Sequence, residues 1–219
     1  MEANNRTSSA PEHGEDRRRQ ILRAALACFA RRGFHPTTMN DISAEAKISV
    51  GLIYRYFDSK DAVITFMADE HLKELRDILE EARRAPTLFE SLEIISTRHC
   101  EDQSEEFHLA LVADLFAEAA RNERVRALVR DVSQFFIDSV ATLIAASEES
   151  AAASAGVDPR TAAEIIVDST RGMMMRAIAD SSTLTASQIR ERQLAMFRTL
   201  WPLLFSRAAP PAPVEPSRT

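Results

Sequence analysis

Glycine is scarce, at five in 219 residues. A chain so poor in the residue that tight turns and strand bulges depend on, and lacking β-branched runs that alternate apolar with polar, does not read as a sandwich or barrel. Two cysteines, Cys28 and Cys100, cannot build a disulfide framework. No charged-then-apolar leader opens the sequence, and no apolar run approaches the roughly 18 residues of a membrane span. The expected setting is therefore a reducing cytoplasm with no membrane partner. GxSxG, GxGxxG and phosphate-loop patterns are missing, so no motif supports a hydrolase, a dinucleotide enzyme or a nucleotide switch. His99, Cys100, His108 and Asp114 lack the tight spacing of a metal site or a Cys/His nucleophile pair. These absences together predict no enzyme, no metal and no cofactor.

Alanine, leucine, arginine and glutamate are abundant, and apolar positions recur at three- and four-residue steps, so the expected fold class is all-α. Charge is unevenly spread. Residues 17–60 carry nine basic groups (Arg17, Arg18, Arg19, Arg23, Arg31, Arg32, Lys47, Arg55, Lys60) against three acids (Asp41, Glu45, Asp58), a balance of +6. The whole chain is at −6, so the remainder carries −12. A basic module on an acidic protein invites a polyanion at that module, although a merely solvated basic face has the same composition.

Residues 1–15 and the proline-rich 207–219 lack periodicity and are expected to be disordered. A first helix should start near Asp16, bury Ile21, Leu22, Ala25, Leu26 and Phe29, and end at Gly33. Thr38 can cap a short helix, with Asp41 three residues on. Ser49 can cap a second short helix reaching about Tyr56, and Ser59 or Asp58 a longer one that stops before Pro86. Residues 16–64 then form one domain, whose fourth helix continues to about 85 as a connector. Helical patterning at 87–101, 105–120, 122–147, 159–180 and 186–206 makes a second domain over 86–206.

Two short helices joined by a tight turn and braced by a helix before them describe a helix-turn-helix, which sets its second helix in the major groove of DNA. A helix of about two turns cannot bury every side. Ile53 and Phe57 can face inward, leaving Val50, Gly51, Leu52, Tyr54, Arg55 and Tyr56 with outward options. The run Gly33-Phe34, Thr37-Thr38, Asp41-Ile42-Ser43, Ala46-Lys47-Ile48-Ser49-Val50-Gly51, Tyr54-Arg55-Tyr56-Phe57 and Ser59-Lys60 resembles the DNA-binding domain of the TetR (tetracycline-repressor) family of bacterial regulators. It spans about 48 residues and departs at Lys47, where the family usually has glycine; if that turn needs positive φ, lysine costs roughly 1 kcal/mol. The resemblance implies that Thr38 touches the DNA backbone. It implies that Ser49, Val50, Gly51 and Leu52 present the recognition helix, that Tyr54, Arg55 and Tyr56 contact phosphate or base edges, and that Lys60 contacts a phosphate. The two tyrosines have a competing role, packing between helices.

The resemblance also implies that the second domain binds a ligand and dimerises. In the helix at 159–180, Glu164, Asp168 and Arg171 form a polar stripe between two uncharged flanks, so one flank can face the chain's own core and the other a second subunit. Ile165, Ile166, Ser169, Gly172 and Met173, with Leu194, Phe197 and Trp201 of the last helix, are the expected interface; a fully internal helix in a monomer is the alternative. Phe107, Leu111, Phe116, Phe135, Phe136, Met174 and Met175 are expected to line an apolar pocket, and each would equally serve as ordinary core. The chain thus reads as a transcriptional regulator, expected to be a homodimeric repressor released from a palindromic operator by a small hydrophobic molecule. An activator or architectural DNA-binding protein of the same fold, without an inducer, is the alternative.

Overall fold

The computed structural model describes residues 10–101, 105–148, 157–179 and 185–205. All regular elements among them are helices: α1 (Ala10–Arg32), α2 (Met39–Ala46), α3 (Val50–Tyr54), α4 (Lys60–Ala82), α5 (Leu88–Glu101), α6 (Glu105–Ala119), α7 (Glu123–Ala145), α8 (Pro159–Ala179) and α9 (Ala186–Phe205). None of the described helices is long and apolar enough to cross a membrane. The expected disorder of residues 1–9 and 207–219 lies outside the described residues.

Helix α1 starts at Ala10, so residues 10–15, expected to be disordered, belong to it. Pro11 stands in the first turn, where a missing N–H costs nothing. At the other end Gly33 has φ of 84°, and its amide closes on the Phe29 carbonyl at 2.7 Å. Helix α3 is shorter than expected. Arg55 and Tyr56 follow it as a turn, their amides bonded three residues back to Leu52 (3.2 Å) and Ile53 (2.8 Å), the tightening typical of a helix end.

The chain divides into two compact units. The first holds residues up to 74 and 104–132, the second residues 75–103 and 133–219. The sequence suggested a single boundary near 86; instead α6 and the start of α7 join the first unit. Its core explains why. Leu111 and Ala119 of α6 and Val125 of α7 are buried in one cluster with Ile21, Ala25 and Phe29 of α1, Ile42 of α2, Ile53 of α3 and Val63 of α4. Each large aliphatic or aromatic side chain so buried stabilises the unit by about 1.5–3 kcal/mol. A helix that supplies such side chains folds with its partners, whatever its place in the sequence.

The second unit has its own core, built from Leu79 and Ala82 of α4, Leu88 and Leu92 of α5, Val140 and Ile144 of α7, Ala162, Ala163 and Ile166 of α8, and Leu194 and Phe197 of α9. Its helices begin on side-chain caps. Thr87 and Glu90 exchange hydrogen bonds with each other's backbone at 3.2 Å, Thr185 and Gln188 do the same, and Asp158 accepts from the amides of Arg160 and Thr161.

Candidate nucleic-acid interface

The route into the short helices is fixed by side chains that bond main chain. Thr37, 1% exposed, donates its hydroxyl to the Gly33 carbonyl at 2.7 Å, tying the end of α1 to the start of α2. Thr38 is the N-cap of α2: its Oγ1 accepts the Asp41 amide (3.2 Å), and Asp41 Oδ2 accepts the Thr38 amide (2.9 Å) and hydroxyl (2.6 Å). These bonds, chiefly the Thr38 hydroxyl, hold the Asp41 carboxyl below its ordinary pKa; Arg32 at 2.6 Å adds to the effect. Gln20 of α1 donates to the Ala46 carbonyl at 2.8 Å. The turn after α2 then requires Lys47 at φ 54°, ψ 43°, the only non-glycine residue with positive φ among those described. The family's glycine position does need the left-handed conformation, and lysine adopts it at a cost of roughly 1–2 kcal/mol.

Ser49 caps α3, its Oγ accepting the Leu52 amide at 3.3 Å. Within α3 the one fully buried side chain is Ile53, 0% exposed. Everything else follows from that anchor. Gly51 is exposed, with nothing within 4 Å of the place a Cβ would occupy, and Tyr54 is 49% exposed. Arg55 and Ser49 are exposed, while Val50 and Leu52 are half-buried. Tyr56 differs from Tyr54: it packs against the core of the first unit and is only half open. A short helix with one hydrophobic foot and a polar, glycine-bearing outer face is shaped to approach another surface closely.

The nine cations of the basic module do not all face outward. Arg31 pairs with Glu45, Arg32 with Asp41, Arg19 with Glu70 at 3.5 Å, and Arg17 donates to Gln20 at 2.6 Å. Arg18, Arg23, Lys47 and Arg55 are exposed and form no ion pair among the described residues. These four, with Arg17, whose partner Gln20 carries no charge, are the cations of the module that neither pair with an acid nor, like Lys60, turn to main chain, a distinction that composition cannot make.

Lys60 has a structural role that the sequence did not reveal. Its ammonium donates to the carbonyls of Phe34 (2.6 Å), His35 (2.9 Å) and Thr37 (2.9 Å), and lies 4.2 Å from the centre of the Phe34 ring. An ammonium has three N–H donors, and in the free chain all three are engaged by these carbonyls. The same turn is held from α6, where Asp114 accepts the Phe34 amide. Sequence reading passed over this role of Asp114, because its partner is 80 positions away.

The expected pocket and interface residues are scattered. Leu111 belongs to the core of the first unit, and Phe116 is 37% exposed. Phe135 and Phe136 pack half-buried on the core of the second unit, and Met174 and Met175 are half-buried on α8. The side chains of Phe107, His108, His99 and Cys100 lie outside the described residues. A groove of about 410 Å³ in the second unit is lined instead by Glu81, Pro86, Glu90, Glu93, Ile94 and Arg98, with Arg98 and Glu81 paired at 3.3 Å. Of the expected dimer contacts, Ile166, Leu194 and Phe197 are buried in the chain's own core, which corrects their assignment to a second subunit. Ile165, Ser169, Met173 and Trp201 remain half open, and Gly172 is exposed with open space around it. Among the described residues no group of three or more His, Cys, Asp or Glu could hold a metal ion.

Comparison with known proteins points one way. The pattern described as "Bacterial regulatory proteins, tetR family" matches residues 21–65. The HTH-type transcriptional regulator UidR of Escherichia coli K12 is 28% identical over 175 residues, covering 78% of this chain and 86% of UidR. Among solved structures, Salmonella enterica GusR is 26% identical, covers 92% of this chain and 99% of its own, and superposes with a TM-score of 0.71. FadR from Bacillus subtilis, solved in complex with stearoyl-CoA, shares the fold at 17% identity and a TM-score of 0.68, covering 87% of this chain and 99% of its own.

Proposed function

The chain is a TetR-family, DNA-binding transcriptional regulator, and from that premise we propose that it is a homodimeric repressor released from its operator by a small molecule with substantial apolar surface. The observation that carries the reading is the exposed face of α3, with Gly51 and Tyr54 outward on a helix anchored by Ile53 alone. Such a helix reaches base edges and phosphates together: glycine lets backbone approach the duplex, and the tyrosine hydroxyl and the Arg55 fork reach phosphate oxygens. Thr38 and Ser49, at exposed helix starts, supply further phosphate contacts.

Pairing of two copies is supported by the part of α8 its own core leaves open. Ile165, Ser169, Gly172 and Met173 recur at three- and four-residue steps, so they share one face. Two copies joined there would present two recognition helices to successive major grooves, one turn of duplex or about 34–36 Å apart. Repression needs only occupancy of the operator by such a pair. The effector reading is supported by the partly open Phe135, Phe136, Met174 and Met175, and by a relative of the same fold that holds an acyl-CoA. An effector releases DNA only if it binds the free form better than the bound form.

Selection of duplexes from a random-sequence pool by the purified full chain, followed by footprinting and sedimentation of the complex, tests this reading. The expected result is a palindromic site protected on one face by two chains. A single asymmetric site occupied by one chain would refute the dimeric repressor.

A further inference from the structure

Two cations of the first unit lie outside what the family pattern supplies. Arg17 stands ahead of the matched residues 21–65, and Lys47 replaces the family's usual glycine. They are far apart in sequence, and one side chain brings them to the same corner. Gln20 Oε1 accepts Arg17 Nη1 at 2.6 Å, and Gln20 Nε2 donates to the Ala46 carbonyl at 2.8 Å. Ala46 is the last residue of α2 and is followed directly by Lys47. A single amide therefore lies between the Arg17 guanidinium and the turn that leads into α3. Two residues past Lys47, Ser49 caps α3.

The chemistry at this corner suits phosphate. Arg17 engages a neutral group, so no carboxylate among the described residues offsets its charge, whereas Arg19, Arg31 and Arg32 each face one. A guanidinium has five N–H donors, and those not engaged by Gln20 keep the planar fork that grips two phosphate oxygens. Lys47 is exposed and held at φ 54°, a strain that glycine would not carry. A lysine kept under strain where glycine would rest easily points to a use for its ammonium. The tether matters as well. An arginine already tied at one end loses less rotamer freedom on gripping a phosphate than one that is loose.

We propose that Arg17 and Lys47 grip neighbouring phosphates of the duplex at the leading edge of α3, and that Gln20 is the positioning residue that aims Arg17 at them. This rests on the DNA-binding reading of α3 and carries the protein's footprint back to α1. Contacts of this kind hold no base information. They set the register and the depth at which the recognition helix sits.

The test is a scan of the selected duplex with the full chain, each phosphate in turn replaced by a neutral methylphosphonate. In each half-site the wild type should lose about tenfold in affinity at two phosphates within about two nucleotides of each other. Arg17→Gln should abolish the loss at one of them and Lys47→Gln the loss at the other. Each should flatten the slope of log affinity against log salt by about one per bound chain, and the double variant by about two. Arg17→Lys keeps the charge without the fork, so it should keep the slope and lose part of the affinity. Gln20→Met should shrink the loss at the Arg17 phosphate alone.

Several results would overturn the proposal. One is an Arg17→Gln variant that keeps every phosphate loss and the full slope. Another is a flattened slope with no particular phosphate affected, the mark of long-range attraction only. Two phosphates far apart on the footprint would break the shared corner. A Gln20→Met variant that shrinks the losses at all phosphates would make Gln20 a support of the turn and not a guide for Arg17. Should a variant fail to fold, the paired losses in the wild-type scan still decide, and their absence refutes the clamp. A wild type that selects no duplex at all sinks the DNA-binding reading and the clamp with it, an outcome distinct from tight binding without these contacts.

Discussion

The two units spend their polar side chains differently. In the first, Gln20, Thr37, Ser49 and Lys60 hydrogen-bond main chain, and Thr38 and Asp41 bond both each other and each other's backbone. In the second, beyond the helix caps, side-chain bonds to main chain are local: Ser91 reaches the Ala82 carbonyl at 2.9 Å, Ser139, Thr142, Ser147 and Thr199 reach carbonyls three or four residues back, and Arg98 pairs with Glu81, Arg84 with Glu80, and Arg160 with Asp138 and Glu164 in solvent. Exposed pairs of that kind contribute about 0–1 kcal/mol each. The difference follows from geometry. A helix of five residues with one buried side chain cannot be held by apolar volume, so its orientation is set by directional bonds at both ends. Helices of 14–23 residues are held by the stripes they bury.

The contrast fails if both units respond alike to the same kind of substitution. The largest test is truncation of a core ring in the first unit. Phe29→Ala should cost about 3–5 kcal/mol and abolish specific DNA binding while hydrogen exchange in α8 and α9 stays protected. Loss of protection throughout would show that the units do not respond separately. Next come two equivalent caps. Thr38→Ala and Thr87→Ala should each cost about 1 kcal/mol in urea unfolding, yet only Thr38→Ala should weaken the operator complex. Equal effects on DNA binding would erase the distinction.

Two glycines with open surroundings give a smaller effect of opposite sign. Gly51→Ala and Gly172→Ala meet no atom within 4 Å and should raise the stability of the separate chain by about 0.5–1 kcal/mol. Gly51→Ala should also weaken DNA binding, and Gly172→Ala should weaken self-association in sedimentation. Improved binding by Gly51→Ala would mean that no close backbone approach occurs there. The smallest effect is in the acid limb. The Asp41 carboxyl is held below its ordinary value of 3.8 by Thr38 hydrogen bonds, so its contribution is complete above 3.8 and is lost as pH falls through the lower folded value. Asp158, held low by Thr161, behaves likewise at the start of α8. Asp41→Asn should flatten the acid dependence of the first unit alone, followed through the Tyr54 and Tyr56 signals, both tyrosines of the chain lying there.

Much of the first unit was legible because its turns are written locally. Gly33, Thr38, Lys47 and Ser49 each act on neighbours within four residues, so type and spacing reveal the turn. The main-chain partners of Lys60 and Asp114 were passed over because they lie at least 23 and 80 positions away, and no local pattern marks them. The same holds for α6, which periodicity identifies as helical without naming the core it completes. On α8 the two uncharged flanks were visible. Which positions turn inward was not: Ala162 and Ile166 of one flank are buried beside Ala163 and Val167 of the other, together with Leu194 and Phe197 of α9. Periodicity defines a face; only packing decides what covers it.

Lys47 carries one more consequence. Glycine would rest in its left-handed turn without strain, so Lys47→Gly should make the free protein harder to unfold while removing one of the exposed cations that can greet a phosphate. Resilience in isolation and hold on a duplex would then move in opposite directions at a single residue.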